Sequence, residues 1–222
     1  MMGTILASAI IDTVEEILDD TENDRWSEAS LLGYLNTIQG SIVGFKPNTN
    51  VENEAVICIA GTKQSIPTAG IQLINIVRNM GTDGTVPGRS VVKGDLEQFN
   101  VIERDWHSET AAATTELFFF DDQDPRHFYV YPPQPASGFG YLEQVYSKAP
   151  TDITISSAIT LSDIYEDIIK NGILYLAYAR ETDSDSLNQS RAYFELFATQ
   201  LGRRDLIEKQ YKPQKRGDTD GV

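Results

Sequence analysis

The chain has 222 residues, of which 41% are hydrophobic and 23% charged, and its formal net charge is −15. This suits one larger domain or a core with an inserted subdomain, and no apolar run is long enough to predict a transmembrane helix. The residues before Arg203 include 12 of the 18 basic and 29 of the 33 acidic side chains, so their net charge is −17. Because Lys and Arg supply most of the affinity for DNA by neutralising phosphates, so acidic a body is not expected to grip nucleic acid.

Two amphipathic helices are predicted at the start of the chain. Residues 4–19 place apolar side chains at helical spacing, and the segment lacks the basic start of a secretory signal. Asp24 is expected to cap a second helix that ends near Gly44, before Pro47. The two apolar stripes are Leu6, Ile10, Val14, Ile17 and Leu18, then Leu31, Tyr34, Leu35, Ile38 and Ile42.

Residues 51–150 are typical of an inserted, mostly antiparallel β-sheet domain. The clearest signal is a hairpin, in which residues 117–120 and 128–131 are aromatic runs separated by polar "DDQDPR". Proline lacks the N–H donor of a ladder, so "YPPQP" is expected to end the second strand, although Pro132 and Pro135 also fit the spacing of a groove ligand. Phe128 and Val130 should share one face of this strand and Tyr129 and Tyr131 the other, and the face that does not pack on the sheet core is expected to be free for a neighbour or the tail. A short helix capped by Asp95 and a third strand from Tyr141 are also predicted.

Two further helices follow the sheet. Thr160 or Ser162 can cap the first, and the second is predicted to carry one apolar stripe of Leu187, Phe194, Phe197 and Leu201. The segment "ETDSDS" makes a short polar turn, so the two helices should be antiparallel neighbours. The predicted fold class is α+β. A helical bundle is formed by residues 1–50 and 151–205, a β-rich domain by residues 51–150, and an extended C-terminal tail by residues 206–222.

The residues that could carry catalysis are few. His107 and His127 are the only histidines, and Cys58 lies in apolar "AVICIAG", which argues against a reactive thiolate. The acids of "DDQDP" do not match a calcium loop, because the position that needs glycine is Arg126. Zinc spacing and phosphate-loop patterns are absent. We therefore expect no enzymatic activity, no metal and no cofactor.

The C-terminal segment differs in charge from the rest of the chain. From Arg203 onward there are six basic residues against four acidic ones. Such a segment is typical of a docking element for an acidic partner surface, and equally of a solvated terminus.

Several segments, taken in order, resemble the head-to-tail adaptor (connector) proteins of short-tailed bacteriophages. They are "DRWSEASLLGYLNTIQGSIVGFKP", "GTKQSIP", "LINIVRNM", "RHFYVYPPQP", "VYSKAPTDIT", "LSDIYEDIIKNGILYLAYARETDS" and "RAYFELFATQL". "RDWHS" departs from the pattern, because many relatives place a proline before this tryptophan.

This resemblance implies a structural virion protein without catalysis or cofactor. It would be made in the host cytoplasm and form a ring, typically a dodecamer, at the head-tail interface beneath the portal. The ring would extend the DNA channel and attach the tail. The C-terminal segment would dock on the portal through Arg203, Arg204, Lys209, Tyr211, Lys212, Pro213, Lys215 and Arg216.

Two alternatives stay open at this point. The chain could be an assembly chaperone or another tail-binding module that is absent from the mature virion. It could also be a wall-degrading hydrolase of a tail tip, which would need a carboxylate pair with perturbed pKa values in a cleft.

Overall fold

The computed structural model describes the backbone of residues 3–211 and the side chains of residues 3–202. It divides into two compact units, one made of the described residues up to Ile42 and from Thr151 onward, the other of Val43–Pro150. The helices are α1 (Ala7–Leu18), α2 (Glu28–Phe45), α3 (Leu96–Ile102), α4 (Glu166–Ala179) and α5 (Ser184–Tyr211). The strands are β1 (Val51–Ile57), β2 (Gly61–Ser65), β3 (Gly70–Asn79), β4 (Val92–Lys93), β5 (Leu117–Phe120), β6 (His127–Gln134) and β7 (Tyr141–Lys148).

The start of α2 differs from the sequence prediction. Helix α2 begins after Ser27, whose Oγ accepts a hydrogen bond from the backbone N–H of Ser30 at 3.3 Å, so Asp24 is not the cap. The carboxylate of Asp20 organises the preceding turn instead. It accepts hydrogen bonds from the backbone N–H groups of Asp24, Arg25 and Trp26 at 2.9–3.2 Å. These bonds hold the pKa of Asp20 below its ordinary value.

The core of the helical unit is apolar and tied together by side-chain hydrogen bonds. Trp26 is almost fully buried, and its indole Nε1 donates to the carbonyl of Ala177 at 3.2 Å. The extended segment before α4 is held against α2, because the Asn36 side chain exchanges hydrogen bonds with the backbone of Ile153. Gln39 accepts from the backbone N–H of Thr160 at 2.8 Å. Buried polar groups in a core need such partners.

Helices α4 and α5 form the antiparallel hairpin predicted from the sequence. Asn171 lies opposite Gln200, and further along the hairpin Tyr175 lies opposite Phe194. Asp183 caps α5 by accepting from the backbone N–H of Ser186 at 2.9 Å. The backbone of α5 continues to Tyr211, so it is helical through residues 206–211, which the sequence had placed in the extended tail. Residues 212–222 lie outside the described part.

The second unit contains two sheets that share one core. The three-stranded sheet has the order β1-β7-β3, and the four-stranded sheet has the order β2-β6-β5-β4. All pairs are antiparallel except β4 with β5. Leu73 and Leu142 from the first sheet meet Phe118, Phe128 and Val130 from the second. The predicted α+β class is confirmed, with helices before and after the sheet strands along the chain.

The predicted proline stop in β6 is wrong. The hairpin itself is confirmed, because Leu117 pairs with Tyr131 and Phe120 with Phe128. However, β6 runs on through both prolines, and Gln134 pairs with Gly61 of β2 after a register shift. Strand β2 therefore pairs with β6 on both sides of the prolines. The prolines have no N–H to donate, and they lie at the register shift, where the ladder of hydrogen bonds is already interrupted.

The outer face of β6 is covered, contrary to the expectation that it would be free. Phe128 and Val130 are fully buried in the core. On the opposite face, the ring of Phe99 in α3 lies 5.0 Å from that of Tyr131, and Trp106 lies 6.3 Å from Tyr129. The segment 95–108 therefore closes this face, and its helix begins at Asp95 as predicted, with Asp95 accepting from the backbone N–H of Gln98. Across the described residues, no helix is both long and apolar enough to span a membrane.

Candidate functional site

The two histidines lie in unrelated places in the sheet unit. Nδ1 of His107 is 2.8 Å from Oγ1 of Thr62, and its ring stacks on Trp106 with 3.8 Å between centroids. Nδ1 of His127 is 2.7 Å from a carboxylate oxygen of Asp124 at the hairpin tip. A catalytic base needs both a nucleophile and a third group that orients it. The contacts of His107 fit a packing role against the aromatic cluster.

The single cysteine is an internal packing residue. Cys58 is 2% exposed in the sheet core, and burial raises the pKa of its thiol to about 12. A thiolate is the reactive form of cysteine, so this side chain is poorly suited to nucleophilic chemistry. Among the residues that the structure describes, no cluster of three or more His, Cys, Asp or Glu side chains could hold a metal ion.

Strand β1 is a regular edge strand whose acidic side chains bind partners on the neighbouring strand β7. It pairs with β7 without a bulge from Val51 to Ile57. Glu54 accepts a short hydrogen bond from the hydroxyl of Tyr146, and Glu52 forms a 3.1 Å ion pair with Lys148. Burial and the bond to Glu54 raise the pKa of Tyr146. Charged side chains on an edge strand discourage it from pairing with another strand, so this edge is a poor docking surface.

The helical unit carries a groove between α1, α4 and α5, with a volume of about 370 Å³. Its apolar lining comes from Ile17 of α1, Leu174 of α4, and Tyr193 and Leu196 of α5. Leu174 is buried at the floor, whereas Ile17 and Leu196 are 45% and 48% exposed. We refer to this feature as the α1/α4/α5 groove.

Polar side chains line one side of this groove. Lys170 of α4 lies 3.0 Å from a carboxylate oxygen of Asp167 and 3.2 Å from one of Glu166. Burial lowers the pKa of Lys170, but its hydrogen bonds to the two acids outweigh this and raise the pKa above its ordinary value. Asn171 donates to Gln200 of α5 at 2.9 Å. Counting the described side chains, two carboxylates against one ammonium leave this rim net negative.

The opposite flank of α5 carries a second apolar feature. Leu187 is 42% exposed and Phe194 is 48% exposed. Arg191 lies between them on the same flank, because the three residues are four and three positions apart, and its side chain is exposed. It makes no ion pair with another described side chain. We call these three residues the Leu187/Phe194 ridge.

The sequence misplaced Ile17, Leu187 and Phe194, which it assigned to inward-facing stripes. Ile17 is adjacent to Leu18, and neighbouring residues on a helix point about 100° apart, so only one of the two can face the core. Leu18 is the buried one. In α5 only Phe197 and Leu201 of the predicted stripe are buried.

The predicted docking residues are not brought together by the described structure. The backbone of Arg203, Arg204, Lys209 and Tyr211 belongs to α5, but their side chains lie outside the described residues. Lys212, Pro213, Lys215 and Arg216 lie outside it altogether. Their role stays a prediction.

Comparison with known proteins agrees with the resemblance seen in the sequence. No curated protein matches the chain significantly. The family model described as "SU10 adaptor protein" matches residues 6–218, which includes both structural units and most of the C-terminal segment. This is consistent with a phage head-to-tail adaptor. The chain belongs to the SU10 adaptor protein family.

Proposed function

We propose that the chain forms a ring, typically of twelve copies, beneath the portal of a bacteriophage head. The ring extends the channel through which DNA leaves and gives the tail its attachment platform. The observation that carries this proposal is the family match over residues 6–218. The protein acts at the head-tail interface of the virion after synthesis in the host cytoplasm, and it works as a structural component without cofactor.

The charge of the chain supports a channel through which DNA slides. The balance of −17 before Arg203 leaves few cations to neutralise phosphates. Since each neutralised phosphate adds to non-specific affinity, an acidic wall lets DNA pass without sequence-specific binding. The same surface would be unsuited to holding DNA at rest.

The basic C-terminal residues are the proposed portal contact. Arg203, Arg204, Lys209, Tyr211, Lys212, Pro213, Lys215 and Arg216 supply six positive charges, one aromatic ring and one proline. Charge complementarity to an acidic portal surface would speed association and fix orientation.

Portal binding by two variants tests the docking role. One is truncated after Leu201, and the other keeps full length but carries Gln in place of Lys209, Lys212, Lys215 and Arg216. Both should lose most of their affinity for purified portal, measured by co-sedimentation, while far-ultraviolet circular dichroism shows the fold retained. Binding equal to that of the natural chain in both variants would reject the docking role.

The composition of purified virions tests the structural role. Quantitative mass spectrometry should find the chain in about the ratio of one ring to one portal. Absence from mature virions would instead indicate an assembly chaperone or another transient tail-binding module. Cell-wall lysis by the purified protein would indicate a hydrolase.

A further inference from the structure

We propose that helix α5 joins neighbouring copies of this chain, with the Leu187/Phe194 ridge of one copy inserted into the α1/α4/α5 groove of the next. This inference rests on the proposed ring and names the surface that would close it. It concerns only the described part of the helical unit.

The ridge and the groove lie on opposite flanks of one helix. An α-helix turns about 100° per residue, so Phe194 and Leu196 point roughly 160° apart around α5. The buried line of the helix, Ser190, Phe197 and Leu201, runs between the two flanks and packs against the rest of the unit. Helix α5 therefore has apolar side chains to offer on both sides at once.

The shapes of the two features suit each other. The groove has an apolar floor at Leu174 and half-exposed walls at Ile17 and Leu196. Its volume of about 370 Å³ accommodates a phenylalanine ring. Phe194 is 48% exposed while its inner edge rests on Tyr175, 5.2 Å between ring centroids. The ring of Phe194 is thus held in place on one side, and its exposed side can be removed from water only if another surface covers it.

The charges at the rims are complementary. Among the described side chains, the groove rim has Glu166 and Asp167 against one cation, Lys170, which lies within 3.2 Å of both. The ridge carries Arg191, a guanidinium without an ion pair to any described side chain. Bringing Phe194 into the groove would place Arg191 at a net negative rim, where a carboxylate can accept two parallel hydrogen bonds from it.

A second copy of this chain is the occupant that these features favour. A twofold dimer pairs one patch with the same patch, whereas a ring needs two different patches that fit each other. Ridge and groove are two different patches on one unit, complementary in shape and charge. The geometry is that of a head-to-tail contact, which closes into a ring when the rotation per subunit allows.

Two single substitutions and their mixture test the contact. Phe194→Asp destroys the ridge and keeps the groove, and Leu196→Asp destroys the groove and keeps the ridge. The matched control is Thr199→Asp, which adds the same charge to an exposed position of α5 on the side away from its buried line. Circular dichroism should show all three folded, since each site is exposed.

The readout is sedimentation of the full chain at the highest soluble concentration, free and with purified portal. The natural chain and the Thr199→Asp control should assemble beyond a dimer, and each ridge or groove variant alone should not. A mixture of the two variants should stop at a heterodimer, because one intact ridge meets one intact groove. Assembly of either variant like the natural chain, growth of the mixture beyond a dimer, or a natural chain that never self-associates would overturn the inference.

A charge exchange gives independent support. Arg191→Glu and Asp167→Arg should each weaken association at least tenfold, and the double variant should recover most of the loss, because the pair is re-formed between copies. Absence of recovery would count against the rim contact.

The outcomes separate this inference from the proposed function. Portal-bound rings that form normally with Phe194→Asp and Leu196→Asp would overturn the contact and leave the adaptor role standing. Association in solution that depends on ridge and groove, but without any portal binding, would keep the contact and reject the adaptor role. Variants that self-associate normally but lose portal binding would overturn the self-contact and assign this flank to the portal.

Discussion

Gly172 of α4 packs against Ile38 of α2 with no room for a side chain. A Cβ added at residue 172 would lie 2.7, 2.8 and 2.9 Å from Cγ2, Cδ1 and Cγ1 of Ile38. Both residues are buried, and a β-branched side chain in a helix has essentially one χ1 rotamer. Ile38 therefore cannot swing away, and the two helices must separate instead.

The free-energy change expected for Gly172→Ala follows from two opposing terms. Replacing glycine by alanine inside a helix stabilises it by about 1 kcal/mol, whereas overpacking a core costs roughly 1–3 kcal/mol. Three contacts below 3.0 Å place this site at the upper end of that cost. We expect a net loss of about 1–2 kcal/mol in the free energy of unfolding.

The matched control is Gly40→Ala in α2, where an added Cβ would meet nothing within 4 Å. It should stabilise the protein by about 0.5–1 kcal/mol. Urea unfolding followed by circular dichroism measures both variants. Ile38→Ala should cost less in the Gly172→Ala background than alone, since the new methyl fills part of the cavity. A Gly172→Ala variant as stable as the Gly40→Ala control would refute the packing argument.

Three further outcomes follow from single contacts. Burial raises the pKa of Cys58 to about 12, so the fraction of its thiol that is ionised at pH 8 is about 10⁻⁴. An aromatic disulfide reagent should therefore label the native protein ~1,000-fold more slowly, or slower still, than the urea-unfolded protein. Equal labelling rates would contradict the burial of this thiol. Trp26→Phe removes the hydrogen bond to the carbonyl of Ala177 and leaves a gap, and calorimetry should show a loss of roughly 2 kcal/mol; an unchanged melting temperature would count against it. The pKa of Asp20 is lowered in the folded state, so its stabilisation is present above the unfolded value near 3.8 and is lost as pH falls through the folded pKa. Asp20→Asn should therefore lose less stability between pH 6 and pH 3 than the natural chain, and an equal loss would contradict the role of this carboxylate.

The spacing of apolar residues predicted helices and strands well where one side of the helix or strand faces a core. The hairpin of β5 and β6 was readable because large aromatic residues alternate between core and outer face. Helices α1 and α2 and the α4–α5 hairpin were readable from helical spacing for the same reason. The cap of α2 was missed because Asp20, six residues before Trp26, reorganises the turn in a way that propensity does not encode.

The candidate surfaces depend on tertiary contacts that a single sequence does not specify. Helical spacing predicts that every apolar residue of a stripe lies in the core. Only the folded structure shows that Phe197 is buried while Phe194 is half exposed. The prolines of β6 are tolerated because Gly61 of β2 pairs beyond them after a register shift. The outer tyrosines are covered by Trp106 and Phe99, which are distant in sequence. Long-range partners of this kind override local rules.

Electron microscopy of the purified chain mixed with its portal tests the adaptor role most directly. We predict an added ring, in twelve-fold register, attached beneath the portal. Addition of the chain truncated after Leu201 should leave the portal bare. A portal that stays bare when the intact chain is in excess would contradict the proposed function.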